Sequence, residues 1–228
     1  MLAVADGAGS AKYAAVGART AVNTAIKAIG RFLEHDDLIS QDTWECAIKN
    51  VLQDTRAEIE NLPAKWQEMQ LNDAESPNDE QAPSLHDFAT TLLIAIITSA
   101  WIVAAQIGDG AIVIQYDNQT VDVLTQPNHG EYLNQTSFVT DDDYLQYAQI
   151  TSIQRLPTVK GIALLTDGLE NLALDFVTKA AYPPFFLPLF RFAARAESTQ
   201  EELEAFLSSE RVCKQTDDDK TILLAVST

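Results

Sequence analysis

Four aspartates stand where apolar runs give way to glycine-rich or charged turns, and carboxylates in such places can do metal chemistry. They are Asp6 in Ala5-Asp6-Gly7-Ala8-Gly9, Asp109 in Gly108-Asp109-Gly110, Asp167 in Leu165-Thr166-Asp167-Gly168, and Asp218 in Asp217-Asp218-Asp219-Lys220-Thr221. Any one Asp-Gly at a strand end reads as an ordinary turn. Four of them, each beside a strongly apolar run, gather at one rim if those runs share a sandwich. Hard cations with oxygen ligands then compensate the clustered charge. Other candidates carry less. His35, His86 and His129 have no nucleophile or acid legible around them and read as polar loop residues. Asp141-Asp142-Asp143 lacks the alternating ligand spacing and turn glycine of a calcium loop, and reads as solvated.

The elements that must position these carboxylates change period along the chain. Gly9 to Leu33 carries a broad helical stripe with Ser10 as its expected cap, and Gln41 to Gln70 a second one that Pro63 kinks or divides. Residues 72–87 hold Pro77, Pro83 and five acids without a base, and read as an acidic connector within the domain. The period then becomes that of strands: Ala89–Ile97, Trp101–Ile107, Ala111–Tyr116 and Thr120–Leu124 are expected to form a meander. Further strands are expected at Ser137–Thr140, Ala148–Ile153, Gly161–Leu165 and Thr221–Val226, with a helix at Gln200–Leu207 and an irregular apolar connection at Tyr182–Pro188. Early helices, a run of antiparallel strands, then a helix and a final strand argue for an α+β layered domain.

Composition sets outer limits. With 228 residues, 46% of them hydrophobic and 21% charged, the chain is expected to form one globular domain rather than a disordered, collagenous or disulfide-stapled one. Its net charge of −18 repels phosphate backbones and anionic lipid, so neither nucleic acid nor membrane is an expected partner. An anionic substrate would need a metal to invert the local charge. From Trp66 through Gln154 there is no Lys or Arg against thirteen acids, a stretch that disfavours acidic protein partners. Cys46 and Cys213 lie far apart without metal or redox spacing, and read as packing residues of a reduced, cytoplasmic protein. Phe88 to Gly108 carries no charge and is long enough to span a bilayer, but its Thr90, Thr91, Thr98 and Ser99, its β-branching and its acidic flanks fit two buried strands better. Met1 to Asp6 has no basic n-region, and reads as a strand already under way rather than a signal peptide.

Taken in order, these motifs resemble the metal-dependent protein phosphatases, the protein phosphatase 2C family, in their short bacterial form. Ala5-Asp6-Gly7-Ala8-Gly9-Ser10 resembles the first aspartate-glycine motif and Ala89-Thr90-Thr91-Leu92 the Gly-Thr-Thr strand. Gly108-Asp109-Gly110 matches the Gly-Asp-Ser/Gly turn, Leu165-Thr166-Asp167-Gly168-Leu169 the Ser/Thr-Asp-Gly motif, and Asp218-Asp219-Lys220-Thr221 the final Asp-Asn-x-Thr. Gly130-Glu131-Tyr132 with Asn134 and Thr136 is similar to a segment of the short bacterial branch. The resemblance implies a four-layer α/β/β/α sandwich with two central antiparallel sheets, spanning residues 1–228 as a single phosphatase-like domain. It also implies a serine/threonine protein phosphatase that uses two Mn²⁺ or Mg²⁺ ions and a weaker third, and acts as a monomer on a phosphorylated protein substrate. Asp6 would bridge both principal metals, Asp167 and Asp218 would complete the first, the carbonyl of Gly7 would serve the second, and Asp109 with Asp167 would hold the third. A metal-bridged water is the expected nucleophile.

The sequence also departs from the family pattern. Met1 falls just before the first motif, so the domain is expected to be N-terminally incomplete. It would then lack the family's upstream strands, with their phosphate-gripping arginine and an acidic ligand of the second metal. Asp219 stands where Asn is usual, Ala89 where Gly is usual, and Ala8 where some relatives carry a histidine. Two other readings stay open on the residues alone. One is a non-catalytic phosphatase-like binding module with an incomplete metal site, and the other is an acidic calcium-binding structural domain.

Overall fold

A computed structural model of the chain describes residues 1–33, 40–72, 82–127, 136–154 and 158–227. Strand β1 (Leu2–Val4) is followed by helices α1 (Ala14–Leu33), α2 (Gln41–Glu60) and α3 (Leu62–Asn72). Then come β2 (Leu92–Ile97), β3 (Trp101–Ile107), β4 (Ala111–Tyr116), β5 (Val121–Thr125), the short α4 (Tyr144–Tyr147), β6 (Gln149–Gln154) and β7 (Val159–Leu165). The chain closes with α5 (Glu170–Ala173), α6 (Pro183–Ala193), α7 (Gln200–Leu207), α8 (Glu210–Cys213) and β8 (Ile222–Val226). Two antiparallel four-stranded sheets result, in the orders β1-β2-β3-β6 and β5-β4-β7-β8.

The side-chain period of two explains the layering. Leu92, Ile94 and Ile96 of β2, with Val103, Ala105 and Ile107 of β3, pack against α1 and α2 around Ala25, Ile29, Trp44, Ile48 and Leu52. The alternate residues Leu93, Ala95, Ile102 and Ala104 face Ile112, Ile114, Ile162 and Leu164 of the second sheet. On the far side, Val113, Ala163 and Leu165 meet Phe186, Leu189 and Phe190 of α6. Central strands covered on both faces need apolar residues at every position. That is why Phe88 to Gly108 carries no charge, and among the described residues no helix is long and apolar enough to cross a membrane.

Several local expectations are corrected. The strands from Leu92 to Thr125 do not form one meander, because the chain leaves the first sheet at Ile107 and enters the second at Ala111. Ser137–Thr140 forms no strand; the segment tucks under α2, with Val139 N–H donating to Thr90 O. Ser10 does not cap α1, which begins at Ala14 after an irregular turn. Tyr182–Pro188 is helical from Pro183, because Pro183 and Pro184 occupy the first turn, where no N–H is required. Pro188 sits on the exposed side of that helix, opposite the stripe of Phe185, Phe186, Leu189 and Phe190. Cys46 and Cys213 are both exposed rather than packed. The division near Pro63 stands as expected, between Glu60 and Leu62. Of the acidic connector, residues 73–81 lie outside the described residues.

One buried polar side chain sits at the crossover between the sheets. Gln106 follows Ile102 and Ala104 on the inter-sheet face of β3 and is wholly buried. Its amide N–H donors are shared among the carbonyls of Gly108 (3.0 Å), Gly110 (2.7 Å) and Gln126 (3.1 Å), and its carbonyl accepts from Thr125 Oγ1 (2.5 Å). The amide thus pins both sides of the turn that presents Asp109.

Two stability outcomes are expected. Ile94→Asp places an unpaired charge in the layer under α1 and α2 and should cost about 3–5 kcal/mol. Urea unfolding and loss of soluble protein measure it. Gln106→Leu takes a donor from the buried carbonyls of Gly108 and Gly110 and an acceptor from the Thr125 hydroxyl, and should cost about 1–3 kcal/mol in the same measurement.

Candidate metal centre

Each predicted site residue is held by backbone that the neighbouring motif supplies. Asp6 leaves β1 beside Thr90 and Thr91. Its N–H donates to Thr91 Oγ1 (3.0 Å), and its carbonyl accepts from Thr91 N–H (2.8 Å) and Thr90 Oγ1 (2.8 Å). The two threonines are almost wholly buried, so this lattice is shielded from water. Ala89, in place of the usual glycine, has φ −58° and uses only its backbone, accepting from Ala8 N–H (2.9 Å); no glycine is required there.

Asp109 occupies the crossover turn. Gly108 before it has φ +114°, and a Cβ there would lie 2.5 Å from Thr91 Cγ2, so only glycine fits both the conformation and the space. The Asp109 carboxylate accepts a short hydrogen bond from Thr136 Oγ1. Asp167 ends β7, which is sewn to β8 by Thr166 N–H to Thr221 O and Thr221 N–H to Thr166 Oγ1, each 3.1 Å. A Cβ on Gly168 would stand 2.0 Å from Asp219 O, so the glycine lets the backbones carrying Asp167 and Asp218 touch. Asp219, the departure from Asn, therefore meets Gly168 through its backbone, and its N–H donates to Asp218 Oδ1 (2.9 Å).

These segments converge on one cleft of about 190 Å³. Asp6, Gly7, Asp109, Asp167 and Asp218 all line it, so all five residues singled out in the sequence are brought together. Thr91, Thr136 and Phe138 complete much of the wall, and among the described residues no Lys or Arg lines it. His86 is exposed in a short turn away from the cleft, whereas His35, His129, Gly130, Glu131, Tyr132 and Asn134 lie outside the described residues. Phe138 and Gln106 had no sequence signal that set them apart from core and strand residues, although a lone amide in an uncharged apolar run is the mark that could have found Gln106.

The electrostatics show what the cleft lacks. Burial, followed by the charges of Asp109, Asp6 and Asp218 and a hydrogen bond to Asp6, pushes Asp167 up to about 7. Burial also raises Asp6, against the hydrogen bond it accepts from Asp167, with Asp218, Asp219 and Asp109 adding to the rise. Both carboxyl groups thus favour the protonated form, and among the described residues no basic side chain in the wall offsets this. The donor set fits a hard dication in type and in charge, being all oxygen and in excess negative. As the side chains stand, no group of three or more His, Cys, Asp or Glu residues is placed to hold a metal ion among the described residues.

Comparison with known proteins gives the same picture over the whole length. The model of the protein phosphatase 2C family matches residues 1–208. The chain is 32% identical over 228 residues to serine/threonine-protein phosphatase 3 of Escherichia coli (strain K12), covering 98% of this chain and 82% of that protein. Its fold is similar to that of a bacterial serine phosphatase, with TM-score 0.61 and 18% identity over 99% of this chain and 85% of the other. It is also similar to serine/threonine phosphatase Stp1 from Staphylococcus aureus, with TM-score 0.60 and 17% identity over 100% and 83%. The order of motifs, the two packed sheets and a match across nearly all of both sequences have one common explanation: the chain belongs to the protein phosphatase 2C family.

Proposed function

We propose that this phosphoprotein phosphatase hydrolyses phosphoserine and phosphothreonine on proteins, with Mn²⁺ or Mg²⁺ held by the acidic cleft. The observation that carries the reading is the convergence of Asp6, Asp109, Asp167 and Asp218 on one cleft that, among the described residues, no Lys or Arg lines. A phosphate cannot enter such a field unless cations come with it. Asp6, Asp167 and Asp218, with the Gly7 carbonyl, are the residues that would hold two ions, and Asp109 with Asp167 a third. Bound there, the metals would supply a water of lowered pKa and positive charge for the phosphate oxygens.

The chain's own part is positioning. Thr90 and Thr91 lock the backbone of Asp6, Gln106 and Gly108 set the Asp109 turn, and the contact of Gly168 with Asp219 holds Asp167 beside Asp218. The two hydroxyls in the cleft are already engaged, Thr91 with Asp6 and Thr136 with Asp109, and among the described residues neither has a histidine beside it in the wall. That favours water over a protein nucleophile. The E. coli relative's designation as a serine/threonine-protein phosphatase supports the same substrate class.

Asp167→Ala should lower Mn²⁺-dependent phosphate release from a phosphopeptide at least about a hundredfold, with the far-ultraviolet circular dichroism unchanged. Equal activity of variant and parent at saturating Mn²⁺ would sink the assignment. Saturable phosphopeptide and Mn²⁺ binding without any phosphate release by the parent would establish a binding module instead.

Asp167 also predicts a pH dependence for the metal-free protein. Its folded value of about 7 lies above the ordinary 3.8, so between those limits the folded state holds a proton that the unfolded state releases. The stability this contributes is complete below about pH 4 and is lost as pH rises through about 7. In chelator, the urea midpoint should therefore fall between pH 5 and pH 8, and Mn²⁺ should restore it at pH 8. Asp167→Asn should flatten the dependence in chelator.

A further inference from the structure

The helical layer over the second sheet does not close. Between α6, α7 and α8, with Leu172 of α5, lies a cavity of about 340 Å³ that shares no residue with the acidic cleft. Its size falls at the lower end of the roughly 300–1,000 Å³ range in which proteins hold small organic ligands. Phe185, Leu189 and Val212 form a buried floor, Leu203 and Phe206 form one side, and Tyr182, half exposed, stands at the mouth.

Two charged side chains reach this apolar wall, and they differ in what they have left to offer. The Glu202 carboxylate is engaged, accepting from Thr199 N–H (3.3 Å) at the start of α7 and from Arg195 Nη2 (3.2 Å). The Arg211 guanidinium has no hydrogen-bond or ion-pair partner among the described residues. The guanidinium is therefore available to an anionic group at the edge of the apolar cavity.

We infer that this cavity binds a small amphipathic monoanion, an acyl or arylalkyl carboxylate whose apolar tail lies between Phe185, Leu189, Leu203 and Phe206 and whose carboxylate pairs with Arg211. A planar guanidinium matches a carboxylate with two parallel hydrogen bonds, and an apolar surround strengthens the pairing. A polyanion is disfavoured by Glu202 and by the net charge, and a cation by Arg211. The inference does not depend on the phosphatase reading, because the acidic cleft plays no part in it.

Isothermal titration calorimetry in chelator, with decanoate below its micelle-forming concentration and decanol as the neutral comparison, tests the site. Decanoate should saturate one site per chain, and decanol should bind at least about tenfold more weakly. Arg211→Gln, an exposed substitution that leaves the melting temperature unchanged, should weaken decanoate at least about tenfold, and Leu203→Trp should fill the cavity and abolish binding. Equal affinity for decanoate and decanol, unchanged affinity in Arg211→Gln, or no saturable heat from the parent would each overturn the inference. If Leu203→Trp fails to fold, the Arg211→Gln and decanol comparisons still decide.

Discussion

Mutual repulsion among carboxylates is the constraint around which this molecule is built. Asp6, Asp109, Asp167 and Asp218 line one small cleft, where burial first and the neighbouring carboxylates second raise the proton affinity of Asp6 and Asp167. Left to themselves, such groups would move apart. They stay together because each is fixed by backbone whose polar groups are satisfied elsewhere, so spreading them would break buried hydrogen bonds that no water replaces.

Those restraints are distributed over the whole rim of the sandwich. One anchors β1 to the start of β2 through Thr90 and Thr91, and another joins β7 to β8 through Thr166 and Thr221. Gln106 bridges the crossover between the sheets, with its donors on the carbonyls of Gly108 and Gly110 on either side of Asp109. A further restraint lies below the cleft. Arg56 of α2 is buried, and its Nη1 donates to the carbonyls of Val139 (2.9 Å) and Asp141 (2.6 Å), holding the segment that carries Thr136 and Phe138 into the site. The first helical layer thereby reaches the cleft.

The two helical layers differ in the chemistry of their openings. Over the first sheet, α1 and α2 bury small residues such as Ala21, Ala25 and Ala28 against large ones such as Trp44 and Ile48, and the opening between these two helices is a charged one lined by Thr24, Lys27, Arg31, Asp54 and Glu58. Over the second sheet, α6 is the one long helix; α7 and α8 are short and leave the cavity beside them. The opening in the first layer is therefore charged, whereas the one beside Arg211 is apolar.

The sequence by itself determined the β-rich strand runs, the aspartates of the cleft and the charge problem they pose, because apolar runs that end in acidic turns are local patterns. Asp6, Asp109, Asp167 and Asp218 could each be named from their immediate neighbours, and Gly7 from the family resemblance. Other features depend on partners that are distant along the chain. Only the tertiary structure decided that the strand run splits between two sheets at Gly108 to Gly110, since which face of β3 is covered by helix and which by strand is not written in a run apolar throughout. The helix from Pro183 was hidden by its prolines, whose position in a first turn, rather than their number, determines whether they break it. The roles of Gln106 and Arg56 were illegible for the same reason: a buried amide or guanidinium acts through carbonyls that folding brings to it. The proton affinities of Asp6 and Asp167 are raised because residues 161 positions apart in sequence meet in one partly buried acidic cleft.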